Sequence, residues 1–151
     1  PGPSRRSKEI SLVTENSLAP VLDLKEFPNT VVDIFIEMTQ ADAGTRCAGI
    51  TAAAMALADA GLIMKDLVSA ISVGKVGKEI VVDLDKEEED FEGGSTDIPI
   101  AMTPRDGNIT LLQLDGEMSK DELVKAIELG KEACMKIFEL QKKALKENYK
   151  W

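Results

Sequence analysis

Histidine is absent from this chain, and that one gap removes the histidine-based triads of covalent hydrolysis together with every histidine-ligated metal centre. Cysteine is scarce. Cys47 and Cys134 stand far apart, without the spacing of a metal site, and both are read as small buried residues in a reducing compartment rather than as a disulfide. Aromatic residues make up only 4%, so a core has to be assembled from Val, Ile, Leu and Ala, which suits an α+β or α/β domain. No apolar run is long enough to span a bilayer, and the opening residues do not read as a secretory leader. A cytoplasmic protein without membrane attachment is expected. Pro1 is not an initiator, so further residues are expected ahead of it.

What is plentiful is negative charge. A net charge of −9 over 151 residues excludes a protein that coats nucleic acid non-specifically, yet it leaves room for a strand held in a local basic site. The length suits one domain with a core of its own, residues 1–151, and no internal repeat is present.

Ser4 to Leu18 reads as a helix capped by Ser4, with Ile10, Val13 and Ser17 at helical spacing ahead of Pro20. Val31 to Met38 reads as a strand with Val32, Ile34, Ile36 and Met38 on one face. A glycine turn then leads to an alanine-rich helix, Cys47 to Ala60, whose only charge is Asp59, and Gly61 stops it. Met64 to Val68 is expected to add one helical turn. Strands follow at Ala70–Val76 and Glu79–Leu84, joined as a hairpin around Gly77, and then at Ile98–Met102 and Ile109–Leu114, flanking the Pro104–Asn108 turn. Between the pairs lies a strongly acidic stretch, Asp83 to Glu92, expected to be a solvated loop. Ser119 and Glu122 form a capping box. It opens a last helix with the stripe Leu123, Ile127, Gly130, Cys134, Ile137 and Leu145, and a mixed-charge tail over 142–151 is expected to fray. The order α-β-α-β-β-β-β-α points to a mixed sheet with helices packed on it.

Three clusters carry chemistry. Ala41-Asp42-Ala43-Gly44-Thr45-Arg46 sits where a strand enters a buried helix: free N–H groups, a hydroxyl and a guanidinium meet there, as an anion site requires. Arg5 and Arg6 offer two planar forks to phosphate oxygens. Asp90 and Asp97 end the acidic stretch, with Asp97 expected at a strand's edge, and their carboxylates can hold Mg²⁺ or serve as a general acid. The plain alternative for each is a solvated helix start, an ordinary turn and a solubilising loop.

In combination these segments resemble the RNase PH family. The resemblance is carried by Pro1-Gly2-Pro3-Ser4-Arg5-Arg6-Ser7-Lys8-Glu9-Ile10-Ser11, by Ala41-Asp42-Ala43-Gly44-Thr45-Arg46-Cys47-Ala48-Gly49-Ile50-Thr51, and by Asp83-Leu84-Asp85-Lys86-Glu87-Glu88-Glu89-Asp90 with Asp97. Ala56-Leu57-Ala58-Asp59-Ala60-Gly61 and Leu111-Leu112-Gln113-Leu114-Asp115-Gly116 add to it. Within the family the chain looks most like catalytic ring subunits of archaeal exosomes. The resemblance implies an α+β fold of RNase PH type, also described as ribosomal protein S5 domain 2-like, of which a strand-rich opening part has no counterpart here.

The resemblance further implies degradation of RNA from its 3′ end by phosphorolysis, with inorganic phosphate as co-substrate, nucleoside diphosphates as products and 3′ tailing as the reverse reaction. Gly44, Thr45 and Arg46 would bind the attacking phosphate, and Arg5 and Arg6 the 3′-terminal phosphates of single-stranded RNA. Asp90 and Asp97 would serve Mg²⁺ or protonate the leaving oxygen. Implied partners are an inactive paralogous subunit completing a hexameric ring, and caps with RNA-binding domains. A non-catalytic ring subunit is the competing reading. One departure stands out: Asp90 and Asp97 lie one position further apart than the family's pair. Either Gly93-Gly94-Ser95 absorbs the extra residue, or Glu89 or Glu92 takes the place of Asp90.

Overall fold

The computed structural model describes residues 4–149; Pro1-Gly2-Pro3 of the first motif and Lys150 and Trp151 of the tail lie outside the described residues. Ser4 caps helix α1 (Arg5–Leu18) by accepting from the Ser7 N–H at 3.0 Å, and Pro20 turns its end into a single 3₁₀ turn, Ala19–Val21. A second such turn spans Leu24–Glu26. Helix α2 (Thr45–Asp59) begins at Gly44, whose φ of 56° lies in the left-handed region that glycine enters without strain.

Four strands follow: β1 (Ser69–Val76), β2 (Glu79–Val82), β3 (Ser95–Thr103) and β4 (Asn108–Leu112). They pair in the order β2-β1-β3-β4, antiparallel throughout. Between β2 and β3 lies a single helical turn, α3 (Lys86–Glu89), and a long helix α4 (Lys120–Asn148) closes the chain.

The sheet carries helices on both faces, and strand alternation decides which residue goes where. Val68, Ala70 and Ala101 pack with Leu18, Cys47, Ile50, Ala54 and Leu57 of α1 and α2. Val73, Ile98 and Ile100 pack with Ala126 of α4 on the other side. Gly130 brings α4 close, since a Cβ there would lie 2.8 Å from Cδ1 of Ile100. Further along α4 the buried amide of Gln141 accepts from Ser69 Oγ at 2.6 Å and donates to the carbonyls of Thr51 and Val68 at 3.2 and 3.1 Å. It joins α4, β1 and α2 in one knot.

Several expectations need correction. Residues 31–38 do not form a strand: among the described residues no strand pairs with them, and an extended segment without a ladder is not a sheet. Their alternation survives. Val31 and Phe35 are 81% and 87% exposed, whereas Val32, Ile34, Ile36 and Met38 are 36–42% exposed. The second set lines an open cleft of about 660 Å³ whose other walls come from α1, the segment after it and α2. Without that strand the described sheet is antiparallel rather than mixed.

No helical turn forms at Met64–Val68. Met64 bridges to Leu22 instead, and the buried Asp66 accepts from the backbone N–H groups of Leu67 and Arg105. The acidic loop contains α3, opened by an Asp85/Glu88 capping box. The tail expected to fray continues α4 to Asn148. There Asn148 Nδ2 donates to Asp59 Oδ1, and the Tyr149 hydroxyl donates to the Asp59 carbonyl, both at 2.8 Å.

Candidate active site

The start of α2 places Thr45 and Arg46 in its first turn, where N–H groups have no helical partner. Ala43 and Gly44 are both left-handed, with φ of 58° and 56°, and this doubles the chain back ahead of the helix. The guanidinium of Arg46 does not face open water. Its Nη2 donates to both carboxylate oxygens of Glu9 on α1, at 3.0 and 3.1 Å. Gln113, just past β4, donates from Nε2 to the same Glu9 at 3.4 Å. Arg46 Nε is buried and has no partner among the described residues.

Arg5 and Arg6 lie on the exposed first turn of α1. Glu9 follows them at i+4 and i+3, the spacing that puts helix residues on one face. The arginine pair therefore stands on the same face of α1 as the carboxylate that grips Arg46.

The acidic segment closes the third side. The Lys86 N–H at the start of α3 donates to Asp42 Oδ1 at 3.1 Å, and Asp83 Oδ1 stands 3.7 Å from where a Cβ on Gly44 would be. The anion turn and the carboxylate segment are thus stitched together. Asp97 lies within β3, opposite Gly74, rather than at the strand's edge as expected. Its backbone bonds Asp115 in both directions at 2.9 Å, and the buried Ser72 hydroxyl donates to its carboxylate. Asp97 is the fixed acid of the site.

Asp90 and Glu89 share Lys86 Nζ, at 2.7 and 3.8 Å, and differ in exposure. Asp90 is 64% exposed and bonds Lys86 Nζ at 2.7 Å, an attachment that raises the Lys86 pKa. Glu89 is 25% exposed, and its carboxyl is pushed above the ordinary range by burial and then by the charge of Asp97, against the pull of Lys86 and Arg6. Of the two, Glu89 is the less exposed acid. Behind the turn, burial and then Asp97 push the Cys47 thiol up to about 12, and Cys134 reaches about 12 by burial alone. Both are free, buried and without nucleophilic character at neutral pH.

Among the described residues no group of three or more Asp, Glu or Cys side chains is arranged to hold a metal. A pair of carboxylates still fits Mg²⁺, which takes few protein ligands and completes its shell with water and substrate phosphate. The structure thus ties the Gly44–Arg46 turn to α1 through Glu9 and to the acidic segment through Asp42 and Asp83; Glu89 feels the charges of Asp97 and Arg6, while Asp90, Arg5 and Arg6 are exposed. Sequence reasoning did not find Glu9, Gln113 and Ser72. None of the three left a local signal that singles it out: Glu9 pairs across thirty-seven positions, Ser72 is one of two serines in β1, and Gln113 lies past the end of β4.

Comparison with known proteins gives the following. The family model described as 3′ exoribonuclease family, domain 1, matches residues 1–62, and the one for domain 2 matches residues 66–133, with the junction between α2 and β1. Relatives named exosome complex component Rrp41 are 52% identical in Pyrococcus abyssi and 49% in Methanopyrus kandleri, each over 99% of this chain. The chain spans 59% and 62% of their lengths. The crystal structure of rice (Oryza sativa) Rrp46 superposes with a TM-score of 0.80 over 97% of this chain and 68% of that one; at 24% identity the likeness is one of fold.

Proposed function

The chain belongs to the RNase PH family of 3′ exoribonucleases, and from that premise we propose that it forms the catalytic part of a phosphorolytic 3′→5′ exoribonuclease. The observation that carries this reading is the convergence of three segments distant in sequence. The anion turn is bound to α1 through Arg46 and Glu9, and to the acidic segment through Asp42 and Lys86. Two phosphates have to be brought together in such a reaction, and an anion turn with its own arginine, near an arginine pair and an acidic segment, is what that demands.

In the proposed reaction an oxygen of hydrogen phosphate attacks the phosphorus of the last internucleotide linkage. A new P–O–P bond forms as the bond to the preceding 3′ oxygen breaks. The proton brought by hydrogen phosphate leaves on that oxygen, and the products are a nucleoside diphosphate and RNA shortened by one unit. Gly44, Thr45 and Arg46 hold the attacking phosphate, Arg5 and Arg6 the RNA phosphates, and Asp97 with Asp90 lines the leaving-group side. Those two carboxylates would hold Mg²⁺, which when bound supplies neutralising charge at the phosphate oxygens. Asp90 reaches the site by giving up Lys86, an exposed and solvent-screened partner.

The relatives' naming as exosome components supports assembly with other subunits. We place this chain in a ring with a paralogous subunit, a hexamer with RNA-binding caps, in the cytoplasm. Among the described residues no helix is long and apolar enough to cross a membrane.

The test is release of nucleoside diphosphates from single-stranded RNA by the full-length protein assembled with its ring partner, in phosphate and Mg²⁺. Arg46→Ala is expected to lower the rate about 100-fold or more, as loss of a charge-stabilising donor does. Phosphate-independent release, or equal rates for both proteins, overturns the reading.

A further inference from the structure

The ion pair at the anion turn carries a role that family membership does not assign. Glu9 grips one end of the Arg46 guanidinium with both carboxylate oxygens, at 3.0 and 3.1 Å, and is itself held by Gln113 at 3.4 Å. Three elements thus meet at one carboxylate: α1, the start of α2, and the segment after β4. The side chains of Arg46 and Glu9 are 27% and 40% exposed, so the pair is neither a loose surface contact nor a sealed interior one. Arg46 Nε and Gln113 Oε1 are both buried without a partner among the described residues. A buried donor left unmade is costly and calls for a missing partner. The guanidinium is therefore oriented on the Glu9 side and unsatisfied at Nε.

We propose that Glu9, posed by Gln113, is a positioning residue that fixes the plane of the Arg46 guanidinium for the phosphate bound at the Gly44 turn. This rests on the phosphate-binding reading above. A free arginine has many rotamers and would have to lose them when the anion arrives; one already fixed by a two-oxygen contact does not. Glu9 also places a negative charge beside an anion site, and the two effects have opposite signs. Orientation prevails in this proposal, because a guanidinium misplaced by an ångström forfeits the directional bonds that charge alone does not replace.

The experiment uses the full-length protein assembled with its ring partner and measures the KM for inorganic phosphate, the KM for RNA and kcat, together with phosphate binding by calorimetry. Glu9→Gln keeps the shape and removes the charge. It is expected to raise the phosphate KM and Kd by about fivefold or more, with kcat at saturating phosphate and the RNA KM changed less than about twofold, the pattern of lost ground-state positioning. Gln113→Met keeps Glu9 and removes its holder, and is expected to shift phosphate binding the same way by about twofold. An unchanged or tighter phosphate Kd in Glu9→Gln overturns the proposal, since tighter binding is what relief of charge repulsion alone would give. If Glu9→Gln does not assemble, Gln113→Met decides by the same criterion. Parent protein that binds phosphate while both variants match it defeats only this inference; parent protein that binds none defeats the phosphate-site reading as well.

Discussion

At the scale of single residues the site divides into a fixed half and a movable half. Asp97 is fixed by Ser72 and by its two backbone bonds to Asp115, whereas Asp90 stands in solvent against Lys86. Glu89, the less exposed of the two acids, is the rival for the same task. Asp90→Asn is expected to lower kcat about 100-fold, the scale of a lost charge-stabilising contact in the transition state, with Glu89→Gln costing less than about tenfold. Steady-state phosphorolysis by the assembled protein checks the order, and the reverse order moves the role to Glu89. The identities of the arginines, the glycine turn and Asp97 were legible in the sequence because short motifs place them. Which neighbouring acid serves the site was not, because in a run of acids the composition does not say where each side chain points. Glu9 was passed over for a related reason: its partner Arg46 is thirty-seven positions away, and pairing at that range is a property of the fold.

Among the elements, helices whose ends carry their own chemistry were the most legible. Ser4, the Gly44 turn and the Ser119/Glu122 box begin α1, α2 and α4 as local rules dictate. The tail of α4 was misread because its charge mixture resembles a frayed end, and its attachments to Asp59 at the end of α2 are tertiary. The Gln141 knot has the same character: a glutamine in a charged helical stretch gives no sign that it is buried. Gln141→Leu leaves the Ser69 hydroxyl and two buried carbonyls without their partner. It is expected to destabilise the fold by about 1–3 kcal/mol, the cost of stranding buried polar groups. Denaturant unfolding of the full-length protein measures this, and a change under about 0.5 kcal/mol, the range of an ordinary surface substitution, would show that the knot adds little.

For the whole molecule, the sheet with helices on both faces follows from strand alternation, while the segment over residues 31–38 shows the limit of period-two reasoning. The pattern identifies which side chains turn inward, but a strand needs a neighbour, and no residue pattern states whether one is present. The apolar cleft of about 660 Å³ between that segment and the two helices leaves Ile34, Ile36 and Met38 partly exposed on one side of the described fold. This chain alone is therefore expected to bind the dye ANS and to unfold without a sharp transition, and the chain in its assembly to do neither. A cooperative thermal transition with no dye binding by this chain alone would count against this.

The same segment bears on solubility. Val31-Val32-Asp33-Ile34-Phe35-Ile36-Glu37-Met38 is eight residues of high β-propensity with no proline, the composition from which intermolecular cross-β stacks nucleate. Asp33 and Glu37 interrupt it, each exposed between apolar neighbours. In a stack of identical strands each of those charges would face its own copy at one strand spacing, so they act as gatekeepers against aggregation for as long as the segment lies uncovered.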